Sequence, residues 1–190
     1  MEEGINTIER IEPAIEEMAR TPEEILEEAR KLIGKETPPR RGPYPVEYYP
    51  IRRTCHMVGD HNPLFLDPEY AKKTRYGAVT CPPAMVNHFS GPGAWPHSMM
   101  ESMITVPTAG KRAINLTVEA EWFKPVRVGD WLSEKHRLAD VYIKPIRLDP
   151  KAFWTVQERI ISNQDGEVVC IERNTGVQHR TPEQIAEAGE

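Results

Sequence analysis

The chain reads as an α+β domain, helices first and an antiparallel sheet last, on three observations. Two helix starts of one grammar, Thr21-Pro22-Glu23-Glu24 and Asp67-Pro68-Glu69, lie in the first half. In the last third Ile114, Leu116, Val118, Ala120 and Trp122 alternate with Asn115, Thr117, Glu119 and Glu121, the period of a half-buried strand. Asn163-Gln164-Asp165-Gly166 puts glycine where a hairpin turn needs positive φ, between two further strand-like runs. Helix signals followed by strand signals give the α+β class.

With 190 residues the chain is long enough for one domain plus an extension. Hydrophobic residues make up 39% and charged residues 28%, which is sufficient for a core and unlike a disordered chain. A net charge of -5 offers no general attraction to phosphate backbones or anionic lipid, so neither nucleic acid nor a membrane is expected as partner. Met1-Glu2-Glu3-Gly4 lacks the basic and apolar regions of a secretory signal, and no apolar run reaches the roughly 20 residues of a membrane span. A soluble, cytoplasmic protein is expected. Cys55, Cys81 and Cys170 are odd in number, widely spaced and without CxxC pairing, which predicts free thiols and no metal site.

Along the chain, a weak helical pattern over 5–19 is interrupted by Pro13. Thr21 and Glu24 then form a capping box with Pro22 in the first turn, opening a helix to about Ile33 whose apolar face is Ile25, Leu26, Ala29, Leu32 and Ile33. Its other face, with Glu23, Glu24, Glu27 and Glu28, reads as solvated. Prolines at 38, 39, 43, 45 and 50 make residues 35–50 an extended linker, with a short edge strand expected near Val46-Glu47-Tyr48. Pro50 suits the first turn of a helix through Met57 that Gly59 ends. Asp67-Pro68 starts another through about Lys73, and Pro82-Pro83 a third of about two turns with Ala84, Met85, Val86, His88 and Phe89. Residues 94–110, with Trp95, Met99, Met100 and Met103, read as an irregular excursion that either lines a ligand pocket or simply packs. Strands follow over 114–122, from Trp131 to about Tyr142, over 153–162 and over 167–179. The expected organisation is an N-terminal helical extension and linker (1–43), a main domain (44–180) and a C-terminal tail (181–190).

Three blocks carry a resemblance: Gly59-Asp60-His61-Asn62-Pro63-Leu64-Phe65-Leu66-Asp67, then Tyr76-Gly77-Ala78-Val79-Thr80-Cys81-Pro82-Pro83-Ala84-Met85, then Phe123-Lys124-Pro125-Val126-Arg127-Val128-Gly129-Asp130. In this order and spacing they resemble the MaoC-like acyl-CoA hydratases and dehydratases, most closely the N-terminal MaoC or FAS1-like dehydratase subgroup. The resemblance implies a hot-dog fold, an antiparallel sheet wrapped around one central helix. It also implies acyl-CoA thioesters as substrates, no further cofactor, and oligomers built from hot-dog chains.

In catalytic relatives the loop Asp and a His five residues on hold a water that adds across a 2-enoyl thioester, while the thioester carbonyl meets the N-terminus of the central helix. By this likeness Asp60 matches the base and Asn62 the loop-orienting amide. Phe65 stands where the imidazole would be and cannot carry a proton. Pro82 and Pro83 have no N–H, so the amides of Ala84 and Met85 are left to meet a thioester; with Asn62, Phe65 and His88 they complete the candidate substrate contacts. Several readings stay open. Asp60 is either a base or a carboxylate that only fixes its turn, and His88 either faces the acyl group or is a core residue. His56 and His61 read as surface or structural histidines, and Arg40-Arg41 is a possible but weak contact for CoA phosphates.

Loss of one acid/base partner typically costs about 10²- to 10⁴-fold in rate. The expectation is therefore a subunit of an (R)-specific enoyl-CoA hydratase that lacks the catalytic His and pairs with a hot-dog chain carrying the Asp/His pair. Rivals are a self-sufficient hydratase using Asp60 with His61 or His88, and a non-catalytic acyl-CoA-binding scaffold. A hot-dog thioesterase is disfavoured, because no acidic residue lies from Ala78 to Gly93.

Overall fold

The computed structural model describes residues 20–91 and 103–189. The expected helix over 5–19, and Trp95, Met99 and Met100, lie outside them. The elements run α1 (Pro22–Arg30), β1 (Arg40–Arg41), α2 (Tyr48–Val58), α3 (Pro63–Leu66), α4 (Pro68–Lys72), a 3-10 turn (Pro83–Met85) leading into α5 (Val86–Ser90), then β2 (Arg112–Trp122), β3 (Ser133–Ile143), β4 (Phe153–Ser162), β5 (Val168–His179) and α6 (Pro182–Glu187). The strands form one antiparallel sheet in the order β1-β3-β4-β5-β2, so the α+β class holds.

Local chemistry accounts for most boundaries. The capping box of α1 is formed, with Thr21 Oγ1 accepting from the Glu24 amide and Glu24 accepting from the Thr21 amide. Asp67 accepts from the amides of Glu69 and Tyr70 to start α4. Gly59 closes α2 at φ 72°, a conformation that glycine adopts without steric cost. The β4–β5 hairpin turns at Gly166, φ 77°, while Asn163 Oδ1 accepts from the amides of Asp165 and Glu167.

Two expectations change. The short edge strand is β1 at Arg40–Arg41, paired with Ser133 and Glu134, whereas Tyr48 already belongs to α2. Val46 still exchanges backbone hydrogen bonds with Gly129 and Asp130 at 2.8 Å each, but this contact does not extend into a ladder. Within the C-terminal segment Thr181 and Gln184 form a capping box for α6. Finally, β2 is not half-buried; every residue of it is exposed, Val118 by 65%. The alternation marks a strand, yet β2 occupies the sheet edge and no described element covers it.

Two apolar clusters lie along the sheet. In one, Met85, Val86 and Phe89 of the 3-10 turn and α5 pack with Ile51 and Cys55 of α2 and with Leu132, Ile161, Val169 and Cys170. In the other, Ile25, Leu26 and Ala29 of α1 pack on Leu138, Val141 and Phe153, so α1 is part of the domain core. Between them Arg159 is buried, with Nη1 3.4 Å from Glu134 Oε2, Nε donating to Glu172 at 3.1 Å and Nη2 donating to Asn87 of α5. Charges are tolerated at such depth when paired, and this cluster ties α5 to three strands. Gly42 lies against the end of α5, where a Cβ would come within 1.9 Å of the Phe89 carbonyl oxygen. Among the described residues no helix is long and apolar enough to cross a membrane.

Candidate active site

The candidate loop is a succession of short side-chain caps. After Gly59 the Asp60 amide donates to the Cys55 carbonyl at 2.9 Å, so the chain leaves α2 without a break. Asp60 Oδ1 accepts from the Asn62 amide at 3.0 Å, and Asn62 Oδ1 accepts from the Leu64 amide at 3.0 Å, capping α3. Pro63 takes the first helical position, and the Tyr48 hydroxyl donates to the Leu66 carbonyl at 2.6 Å. The Asp60 carboxylate is thus half-buried and engaged with its own loop.

The ring five residues on behaves as the residue type dictates. Phe65 is half-buried and packs against the apolar cluster around α5. His56, His61 and His88 are all exposed, and among the described residues no histidine hydrogen-bonds to Asp60. His88 meets the edge of Phe89 at 4.9 Å between ring centroids, so it is not the core histidine that its apolar neighbours suggest.

At the start of the central helix the two prolines shape the donor set. The Met85 amide donates to the Pro82 carbonyl at 2.9 Å and the Val86 amide to that of Pro83, so both are spent within the turn. Ala84 is exposed and the Met85 side chain is buried in the core. All three cysteines are free and buried; desolvation, with Cys55 nearby, pushes the Cys81 thiol up to about 12, and burial raises Cys170 to about 11. Neither is a thiolate nucleophile at neutral pH.

The three sequence blocks meet in space. The Thr80 amide donates to the Leu64 carbonyl at 3.4 Å, the Cys81 amide to Val126 at 2.8 Å, and the Val128 amide to Val79 at 3.0 Å. Arg127 Nε donates to the Tyr76 carbonyl at 2.7 Å. At this junction lies a cleft of about 640 Å³ lined by Phe65, Tyr76, Cys81, Pro83, Trp122 and Arg127, among others. Of the candidate catalytic and substrate-contact residues Asp60, Asn62, Phe65, Ala84, Met85 and His88, only Phe65 lines it. Arg75, Tyr76, Trp122 and Arg127 were not singled out individually, although Tyr76 and Arg127 belong to the second and third blocks. Arg41 instead stacks on Trp131, 3.8 Å from the ring centroid, at a separate cleft of about 480 Å³ beside β1. Among the described residues no group of three or more His, Cys, Asp or Glu side chains is placed to hold a metal ion.

Residues 31–172 match the family described as FAS1-like, dehydratase domain region. The chain is 31% identical over 107 residues to a UPF0336 protein of Streptomyces avermitilis, covering 55% of this chain and 67% of that one. Its fold is similar to a chain in the crystal structure of the ChsH1-ChsH2 complex from Mycobacterium tuberculosis, with a TM-score of 0.65 at 18% identity over 85% of this chain and 97% of that one. It is also similar to the MaoC-like dehydratase from Rhodospirillum rubrum, with a TM-score of 0.54 at 21% identity over 79% and 94%. A five-stranded antiparallel sheet packed on a short helix, three converging blocks and a family match spanning most of the residues place the chain in the FAS1-like dehydratase domain family, with the MaoC-like hot-dog fold.

Proposed function

We propose that this chain is the hot-dog subunit of a MaoC-type (R)-enoyl-CoA hydratase that lacks the catalytic imidazole, completed by a second hot-dog chain that supplies an Asp/His pair. The observation that carries the reading is Phe65, held in the apolar cluster at the position where a proton carrier is needed. Asp60 adds to it: a carboxylate bonded to its own loop amide, with exposed histidines turned elsewhere, is a turn-forming group more than a poised base. The reaction class comes from the family, and the substrate from the resemblance of the three blocks to acyl-CoA hydratases.

The partner has a natural seat on β2. This edge strand spans Arg112–Trp122 and exposes Ile114, Leu116 and Val118 by 39–65%. Long exposed apolar edges invite strand pairing and are normally covered. A relative in fold was crystallised as a two-component complex, ChsH1-ChsH2, which favours a heteromeric arrangement here.

Hydration of a 2-enoyl-CoA by the purified chain, alone and with a hot-dog chain bearing an intact Asp/His loop, tests the proposal. Turnover should need the second chain. Brisk turnover by the isolated chain, abolished by Asp60→Asn, would refute it. A non-catalytic acyl-CoA-binding scaffold is the second reading, favoured by the engagement of Asp60 with its own loop; it predicts thioester binding without turnover in any combination.

A further inference from the structure

We propose that the cleft between Arg75-Tyr76 and Trp122–Arg127 binds the nucleotide end of the CoA carrier, its phosphates held by Arg75 and Arg127 and its base laid against Trp122 and Phe123. The inference rests on the acyl-CoA reading above and adds a site to it. The lining of this cleft includes three cations, Arg75, Lys124 and Arg127, and no acidic side chain, in a chain whose net charge is -5. Such local concentration of positive charge, against the overall balance, favours an anionic ligand.

The cations are positioned, not loose. Arg75 Nη2 donates to the Tyr76 hydroxyl at 2.7 Å, with its guanidinium carbon 4.9 Å from that ring's centroid, and Arg127 Nε donates to the Tyr76 carbonyl at 2.7 Å. Each guanidinium has five N–H groups, so both keep donors in the forked geometry that suits phosphate oxygens. Lys124 is already paired with Glu167, which makes it the weaker contributor. Trp122 and Phe123 remain 38% and 50% exposed beside them, offering ring faces to a planar base. The cleft, at about 640 Å³, has room for a nucleotide. Phe65, Cys81 and Pro83 also line it, so a carrier seated there would have its pantetheine arm beside the candidate loop and the start of the central helix.

Calorimetric titration of the full chain with adenosine 3′,5′-bisphosphate, CoA and pantetheine tests this without any turnover. The two phosphorylated ligands should bind saturably and pantetheine at least tenfold more weakly. Arg75→Gln, at an exposed side chain whose loss does not threaten folding, should raise the CoA dissociation constant at least fivefold, and the double variant with Arg127→Gln further still. The dependence of CoA affinity on salt should flatten in both. No saturable binding of the bisphosphate at millimolar concentration, or CoA affinity unchanged within twofold in Arg75→Gln, overturns the assignment. So does binding of a carrier-protein-linked thioester that Arg75→Gln weakens while free nucleotide does not bind. A failure of the two-chain hydration assay would leave these binding results intact, so the two proposals fall separately.

Discussion

Arg127 reaches across 51 residues of sequence to donate its Nε–H to the backbone carbonyl of Tyr76 at 2.7 Å. With the Thr80–Arg127 bridge and the Cys81–Val126 and Val79–Val128 hydrogen bonds, it joins the segment before the central helix to the turn before β3. Arg127→Met keeps the stem of the side chain and loses the donor. It should destabilise by about 1 kcal/mol, the usual net contribution of one hydrogen bond, seen as a lower urea midpoint with unchanged slope.

Asp60→Asn separates a turn-forming carboxylate from a base. An amide still accepts from the Asn62 N–H, so the fold should be retained. In the two-chain assay turnover should stay within about twofold, whereas replacing the loop Asp of the partner should cost on the order of 10²-fold or more.

Removing exposed apolar surface on β2 should affect association and not folding. Val118→Lys places a charge on a side chain that is 65% exposed in the single chain. Thermal unfolding of the isolated chain should shift little, while the assembly mass with the hot-dog partner should fall to that of separate chains, read by light scattering.

Asp149 and Arg180 form a buried ion pair at 2.7 Å, and the Arg180 and Lys151 amides add two backbone donors to the carboxylate. Burial pushes the Asp149 carboxyl up, but the Arg180 guanidinium and the two amides outweigh it, leaving the carboxyl below its ordinary range. The unfolded pKa is near ~3.9, so this stabilisation is complete above that value and is lost as pH falls through the lower folded pKa. Asp149→Asn should cost about 3 kcal/mol at neutral pH, because it removes the negative charge paired with a buried guanidinium. It should also flatten the loss of stability below about pH 4, measured by chemical denaturation across pH.

Gly42→Ala drives a methyl group to 1.9 Å from the Phe89 carbonyl oxygen at the end of α5. Backbone opposes backbone there, so relief requires moving β1 or α5. A loss of about 2 kcal/mol or more is expected, visible as a lowered melting temperature or an insoluble product.

Much of this molecule was legible from short-range chemistry. Caps and stops such as Thr21 with Glu24, Asp67 with Pro68, and Gly59 act within four residues, so their chemistry needs no distant partner. The hairpin at Asn163–Gly166 was readable for the same reason. β1 escaped, because Arg40–Arg41 carries no strand pattern and exists only through its pairing with Ser133 and Glu134. The exposure of β2 is not legible in its sequence, because alternation reports a strand's period, not whether anything lies on its face.

The candidate site divides along the same line. The amino-acid order alone determined the family blocks, the hot-dog expectation and the absence of an imidazole at Phe65, since these are properties of residue identity and spacing. Only the tertiary structure decided that Asp60 is tied to its own turn, that Met85 spends its amide on Pro82, and that Arg75, Arg127 and Trp122 line one cleft with Phe65. The first two are local bonds that depend on the backbone path the loop and the turn adopt; the cleft joins segments tens of residues apart, set by how the sheet and the short helix pack, and no local pattern encodes it.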